Sequence, residues 1–239
     1  MTPGAYRPVV DFSDRFEVLA AARLAGPVLA IVDARVLRLH RHVGRALAAA
    51  GATVLPLRAG ESAKSLRTVE RLTTKALTSP RAVTLLAIGG GTVGDVACVF
   101  AHTFKRGVRR FIQVPSTLLA AVDSSVGGKG AVNVGGAKNV LGVFHFADES
   151  WLCDELFGTL TEAQRREGRL EAWKMAVTLS APTFRAWCRR PPDDAELIRV
   201  SRRLKDALVK RDPWETKGLR VALNFGHTFG HVIESLSGF

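Results

Sequence analysis

Ala82-Val-Thr-Leu-Leu-Ala-Ile88 runs without a break into Gly89-Gly90-Gly91, and the architecture can be built from that join. An almost continuous apolar run is what a parallel strand covered on both faces requires, because neither face meets water. The glycines end the strand in a turn whose backbone lies open to close approach. On the N-terminal side, residues 27–32 read as a strand, 35–50 as an amphipathic helix, 52–57 as a strand and 66–76 as a helix. On the C-terminal side, 94–103 reads as a helix and 110–114 as another buried strand, which Pro115 ends before 117–122. Strands alternating with helices predict a doubly wound α/β domain with a parallel sheet.

From about Leu160 the texture changes. Residues 161–181, 194–210 and 219–236 read as helices, with Pro182, Pro191, Pro192 and Pro213 as breaks and no strand between them. Thr161-Glu-Ala-Gln164 has the form of a capping box. The expected division is an α/β unit at 1–158 and a helical unit at 159–239, with a ligand cleft where the two meet.

Composition narrows the function classes. The 239 residues are 47% hydrophobic and 23% charged, which is globular and rules out disordered or collagen-like chains. Apolar runs such as 85–88 and 118–122 fall far short of the ~20 residues that cross a bilayer, and no signal-peptide core precedes them, so the expectation is a cytoplasmic protein with no membrane partner. Cys98, Cys153 and Cys188 match no disulfide or zinc spacing and are expected to be reduced and mostly buried. The net charge of +12 fits nucleic acid, an anionic substrate or an arginine-rich coding bias alike. The basic residues are scattered, and no zinc finger, RRM or KH signature is present, so a nucleic-acid partner is not expected.

Three stations carry chemistry. Gly89-Gly-Gly-Thr-Val-Gly-Asp95 joins a strand to a helix and can offer backbone amides to a phosphate; it matches neither G-x-G-x-x-G nor a Walker loop, and a plain tight turn is the alternative. Val122-Asp-Ser-Ser-Val-Gly-Gly-Lys-Gly-Ala-Val-Asn133 combines paired glycines, a lysine and small polar groups in the manner of an anion-binding nest. In Asn224-Phe-Gly-His-Thr-Phe-Gly-His231, His227 and His231 stand four residues apart on one helix face. With Glu171, an acid in an apolar helical stripe, they could complete a His/His/carboxylate metal site. The alternative is two structural histidines and a Glu171–Lys174 pair at i,i+3.

Read together, the motifs resemble the 3-dehydroquinate synthases and their sugar phosphate cyclase relatives. In order they are GESAK (60–64), GGGTVGD (89–95), KRG (105–107), QVPSTLLAAVDSSVGGKGAVN (113–133), KNVLG (138–142), EAWK (171–174) and LRVALNFGHTFGHVIE (219–234). The resemblance implies a Rossmann-like α/β domain followed by an α-helical domain. It implies bound NAD, a divalent zinc or cobalt ion, and a phosphorylated sugar acid as substrate. The implied reaction turns 3-deoxy-arabino-heptulosonate 7-phosphate into 3-dehydroquinate plus phosphate by transient oxidation, elimination, re-reduction and intramolecular aldol closure.

Residue by residue, the resemblance places NAD contacts at Asp33, Glu61, Lys64, Gly91, Thr92, Val93, Gly94, Asp95, Ser116, Thr117 and Thr159, with Lys129 and Lys138 beside the cofactor. Glu171 and His227 are the implied metal ligands, and His231 the implied substrate-facing histidine. Lys129, Asn139, Lys174 and Asp123 would surround substrate, while Lys205, Arg220 and Asn224 would handle its carboxylate and hydroxyls. Arg106 would reach a phosphate across a homodimer interface.

Three departures accompany the resemblance. Gly130 stands where the family has threonine, which should loosen that loop. The interval from Lys205 to Arg220 holds one residue more than the family spacing, assigned to Lys217. A third metal-binding histidine belongs beyond Phe239, so the helical domain is expected to be incomplete. Other readings are an aminodehydroquinate, valiolone or scyllo-inosose type cyclase, a related metal-dependent alcohol dehydrogenase, or an inactive truncated homologue. Arg220, a fork for a carboxylate, and His231 favour the dehydroquinate type over cyclases whose substrates lack the carboxylate.

Overall fold

The structure, a computed structural model, describes residues 6–226. Its centre is a six-stranded parallel sheet of β1 (Val10–Ser13), β2 (Val28–Asp33), β3 (Thr53–Leu57), β4 (Val83–Gly89), β5 (Val108–Pro115) and β8 (Glu149–Leu152), in the order β1-β8-β5-β4-β2-β3. Every residue of β4 is buried, as its apolar run requires. Helices cover both faces. On one face α4 (Leu66–Ala76) and α5 (Gly91–Thr103) bury Leu72, Val96 and Phe100 against Leu29, Leu55 and Leu85. On the other, α1 (Phe16–Arg23), α2 (Ala34–Leu39) and α3 (Arg41–Ala49) bury Phe16, Val36 and Leu47 against Leu86, Ile112 and Trp151. The doubly wound α/β reading is therefore correct.

A short antiparallel hairpin, β6 (Lys129–Val134) and β7 (Ala137–Phe144), leans on α5. The helices α6 (Glu162–Leu179), α7 (Ala181–Arg189) and α8 (Asp194–Arg211) then build a third core. There Ala172, Ala176, Trp187 and Leu197 pack on Leu118 and Val122. Among the described residues no helix is long and apolar enough to cross a membrane.

Several local expectations are corrected. The helix expected at 35–50 is two helices broken at His40, whose ring is buried and lies 2.9 Å from the Thr159 hydroxyl. The break expected at Pro182 is present, α6 ending at Leu179, but a further helix the sequence reading lacked, α7, starts at Ala181, with Pro182 in its first turn, where its missing N–H is not needed, under a cap from Ser180. The stretch 122–133 is not one continuous nest: a π-turn at Ala120–Ser124 leads, two glycines later, into β6. Gly130 does not loosen its segment. A Cβ there would lie 2.3 Å from Cys98 Cβ and 2.9 Å from the Asp95 carbonyl, so glycine is what lets β6 seat on α5. Of the helix expected at 219–236, Leu219–Asn224 forms a 3₁₀ turn. Residues from 227 on, His227 and His231 included, lie outside the described residues.

Candidate functional site

Two clefts open at the carboxyl ends of the parallel strands. The first, of about 780 Å³, lies where strand order reverses, between β2 and β4. In a doubly wound sheet that position leaves a crevice, because the connections depart to opposite faces. Asp33 at the end of β2 and Gly90, Gly91 and Thr92 at the start of α5 line it, with Thr117 and α6 residues Gln164 and Glu167. The first-turn amides of α5 have no intrahelical acceptor, which suits an anion. A side chain at Gly90 would crowd Thr117 at 3.1 Å, so glycine keeps the turn open. Asp33 accepts the Arg35 backbone N–H at 2.8 Å as the cap of α2. These features fit the pyrophosphate and ribose of a dinucleotide.

The first cleft gathers Asp33, Gly91, Thr92 and Thr117 of the expected cofactor contacts, but not the others. Val93 is buried in the core, Gly94 faces Gln113, and Ser116 donates its backbone N–H to Gly89. Thr159 is taken up by His40. The segment carrying Glu61 and Lys64 is fastened to the hairpin. Asn133 Nδ2 donates to Glu61 at 2.8 Å, and Lys64 Nζ binds Asp95 at 2.8 Å and Asn139 at 2.6 Å. Lys138 stands on β7. The sequence reading missed Arg35, Arg38 and Arg58, which line the same cleft.

The second cleft, of about 790 Å³, lies between the hairpin and the helices. Asp123, Lys129, Asn139, Glu171, Lys174, Lys205, Arg220 and Asn224, all expected site residues, line it, and Asp95 and Glu215 join them. Lys205 is 6% exposed and binds both the carboxylate and the carbonyl of Asp123 at 2.6 Å; burial pulls its ammonium below the ordinary lysine range, against the opposing charge of Asp123. Arg220 is 1% exposed and donates to the Pro213 and Gly127 carbonyls at 3.0 Å; among the described residues its Nε has no partner. Lys129 pairs with Glu215. Lys174 Nζ bridges Glu171 and the Leu223 carbonyl, at 2.8 and 2.7 Å.

The Glu171–Lys174 pair is therefore present, and Glu171 faces the cleft as well. Burial, reinforced by the charge of Asp123, raises its pKa, so a cation placed beside it would favour its ionised form. In that respect its carboxylate fits a divalent metal. Burial likewise raises Asp95, against the pull of Lys64. Lys64 ties Asp95 of α5 to Asn139 of β7, both in the wall of the second cleft.

Arg106 lies just before β5, at the amino ends of the strands and so on the side of the sheet away from the clefts, and donates to the Ser79 carbonyl at 3.2 Å. It joins neither site within this chain.

A profile described as 3-dehydroquinate synthase N-terminal matches residues 54–167, and one described as 3-dehydroquinate synthase C-terminal matches 168–239. Among curated relatives, the 3-dehydroquinate synthase of Endomicrobium trichonymphae is 38% identical over 95% of this chain and 66% of its own length. That of Campylobacter concisus is 36% identical over 98% of this chain and 68% of its own. The chain spans about half to two-thirds of the length of the curated relatives it matches. A solved 2-deoxy-scyllo-inosose synthase, complexed with carbaglucose-6-phosphate, NAD+ and Co2+, superposes with a TM-score of 0.81. It covers 96% of this chain, which covers 70% of it, at 23% identity; the likeness is one of fold.

Proposed function

The chain belongs to the 3-dehydroquinate synthase family, and from that premise we propose that it serves the conversion of 3-deoxy-arabino-heptulosonate 7-phosphate into 3-dehydroquinate and phosphate. The observation that carries this reading is Arg220: a buried guanidinium at the wall of the second cleft that, among the described residues, bonds only carbonyls and leaves its Nε–H unpartnered. A buried cation without a carboxylate partner is costly, and a substrate carboxylate is the group that offsets it. Lys129 and Lys174 supply further cations for the phosphate end, and Asn139 and Asn224 can bond ring hydroxyls. Lys205, held against Asp123, is placed to orient the carboxylate end beside Arg220.

In this reading NAD occupies the first cleft, its pyrophosphate on the α5 amides and its ribose near Asp33. Glu171 would contribute one ligand to a zinc or cobalt ion; the second ligand, His227, and the substrate-facing histidine, His231, are assigned by the family resemblance alone. When bound, the two cofactors supply reversible hydride transfer and polarisation of a substrate oxygen. Residues 1–158 form the cofactor unit and 159–239 the metal- and substrate-binding unit of a cytoplasmic enzyme of aromatic biosynthesis, working as a homodimer. The test is release of inorganic phosphate from 3-deoxy-arabino-heptulosonate 7-phosphate by the 239-residue chain with NAD and added zinc or cobalt, with a full-length relative as control. Release that disappears in Arg220→Met supports the assignment. No release by this chain under conditions where the relative turns over would sink it for the chain as it stands.

A further inference from the structure

We infer that Glu17, His42 and Glu155 form a second divalent-metal site, suited to zinc, which ties two helices covering one sheet face to the segment leading into the helical unit. Each ligand comes from a different element: Glu17 from the first turn of α1, His42 from the first turn of α3, and Glu155 from the 3₁₀ turn Asp154–Thr159 that follows β8. Their ligand atoms all lie within 4.8 Å of one another. Around a tetrahedral ion with bonds of about 2.0–2.2 Å the donors stand about 3.3–3.6 Å apart, so closing on zinc asks for side-chain movements of about an ångström. None of the three residues lines either of the two clefts described above.

Two observations point to a cation here. Among the described residues, Glu17 Oε2 and His42 Nε2 are buried atoms with no hydrogen-bonding partner. Glu155 Oε1 stands 3.9 Å from that nitrogen, beyond hydrogen-bonding reach, and the exposed Arg15 reaches the other oxygen of Glu17, at 3.4 Å. Leaving a buried carboxylate oxygen and a buried imidazole nitrogen unpaired costs free energy, and one shared cation satisfies both. Negative charge also collects here, in a chain whose net charge is +12. Burial raises the pKa of the Cys153 thiol, and the charges of Glu155, Asp154, Asp14 and Glu17 raise it further. The ligands are braced from behind. Glu155 Oε1 accepts the Phe16 backbone N–H at 2.7 Å, and the His42 ring packs edge to face with His40, which in turn is 2.9 Å from the Thr159 hydroxyl. Supports of this kind orient metal ligands, and they give His40 and Thr159 a use that neither cleft supplies. A crevice of about 510 Å³ lined by Glu17 and His42 leaves a fourth coordination position to water. An imidazole with two carboxylates favours a first-row transition ion over calcium or magnesium, which take oxygen donors.

The test is calorimetric titration of zinc into the untagged, metal-depleted 239-residue chain carrying E171Q and H227Q, which remove both ligands assigned to the other centre. The expected result is one zinc per chain and a thermal unfolding midpoint that rises with zinc, because only the folded chain brings the three ligands together. Adding His42→Gln should weaken this binding by at least about tenfold, about 1.4 kcal/mol, and abolish the rise. Glu17→Gln, which keeps the size of the side chain, should weaken it likewise. Cooperative unfolding of each variant without zinc shows that the loss belongs to the site and not to the fold. No zinc bound by the chain carrying E171Q and H227Q overturns the inference, as does a dissociation constant that either further substitution leaves unmoved.

Discussion

At the scale of single residues, position 130 shows how a departure from a family pattern is explained by one neighbour. Glycine there is the side chain that the gap between β6 and α5 permits, with Cys98 and the Asp95 carbonyl already inside the reach of a Cβ. Gly130→Thr should overpack this contact and cost about 1–3 kcal/mol, seen as a lower midpoint in thermal unfolding. An unchanged midpoint would mean that β6 is not seated as described. Glu149 offers a pH test. Burial opposes its charge, but bonds from Arg23, Arg110 and Trp151 outweigh that and hold its pKa at about 2. A carboxylate depressed on folding stabilises the fold above its unfolded pKa, and that contribution fades as pH falls toward the folded value. Glu149→Gln should therefore be less stable than the parent at pH 7, with the gap closing between about pH 4.3 and pH 2. Urea unfolding at several pH values reads this directly, and a gap independent of pH would refute it.

At the scale of elements, the segments most legible in the sequence are those whose ends carry local chemistry. The helix read at 66–76 is the helix found, with Ser65 capping it through the Thr68 N–H. The capping box at Thr161 is formed as well, its hydroxyl accepting from Gln164 and the Gln164 side chain accepting the Thr161 N–H. Thr161→Ala should destabilise the protein by about 1 kcal/mol, checked by chemical denaturation. Because α6 carries Glu171 and Lys174, fraying of its start should leave that pair, more than two turns away, in place. The elements that escaped the sequence reading are short or bounded by distant contacts. The strands β1 and β8 have four residues each, too few to show a period, and pair with one another along their full length. The break falls at His40, whose ring is held by Thr159, a contact no local window contains.

At the scale of the whole molecule, long-range polar contacts join the sheet to the helices. Arg202 on α8, 4% exposed, holds Asp11 of β1 and also donates to the Ala121 carbonyl and the Ser125 hydroxyl of the π-turn. The turn that presents Asp123 to Lys205 is thereby fixed from behind. Arg106 belongs to this scale too, since it lies at the amino ends of the strands, away from both clefts of its own chain. On the proposed dimeric arrangement, Arg106→Ala should weaken binding of inorganic phosphate while leaving NAD affinity as it was. Equal loss of both, measured by calorimetry, would count against that role.

The sequence by itself determined the doubly wound class, the glycine turn after the buried strand, most helix positions and the motifs that mark the family. These are properties of neighbours along the chain, where periodicity, caps and glycines act directly. Tertiary structure decided which of the marked residues meet. Asp123 and Lys205 are 82 positions apart, Arg220 and Gly127 93, and each pair is brought into contact by packing that no local pattern encodes. It also divided the expected contacts between two clefts, giving Asp33, Gly91, Thr92 and Thr117 to one and Asp95, Lys129 and Asn139 to the other. A cleft is the space left between layers, and its lining depends on how the layers are seated.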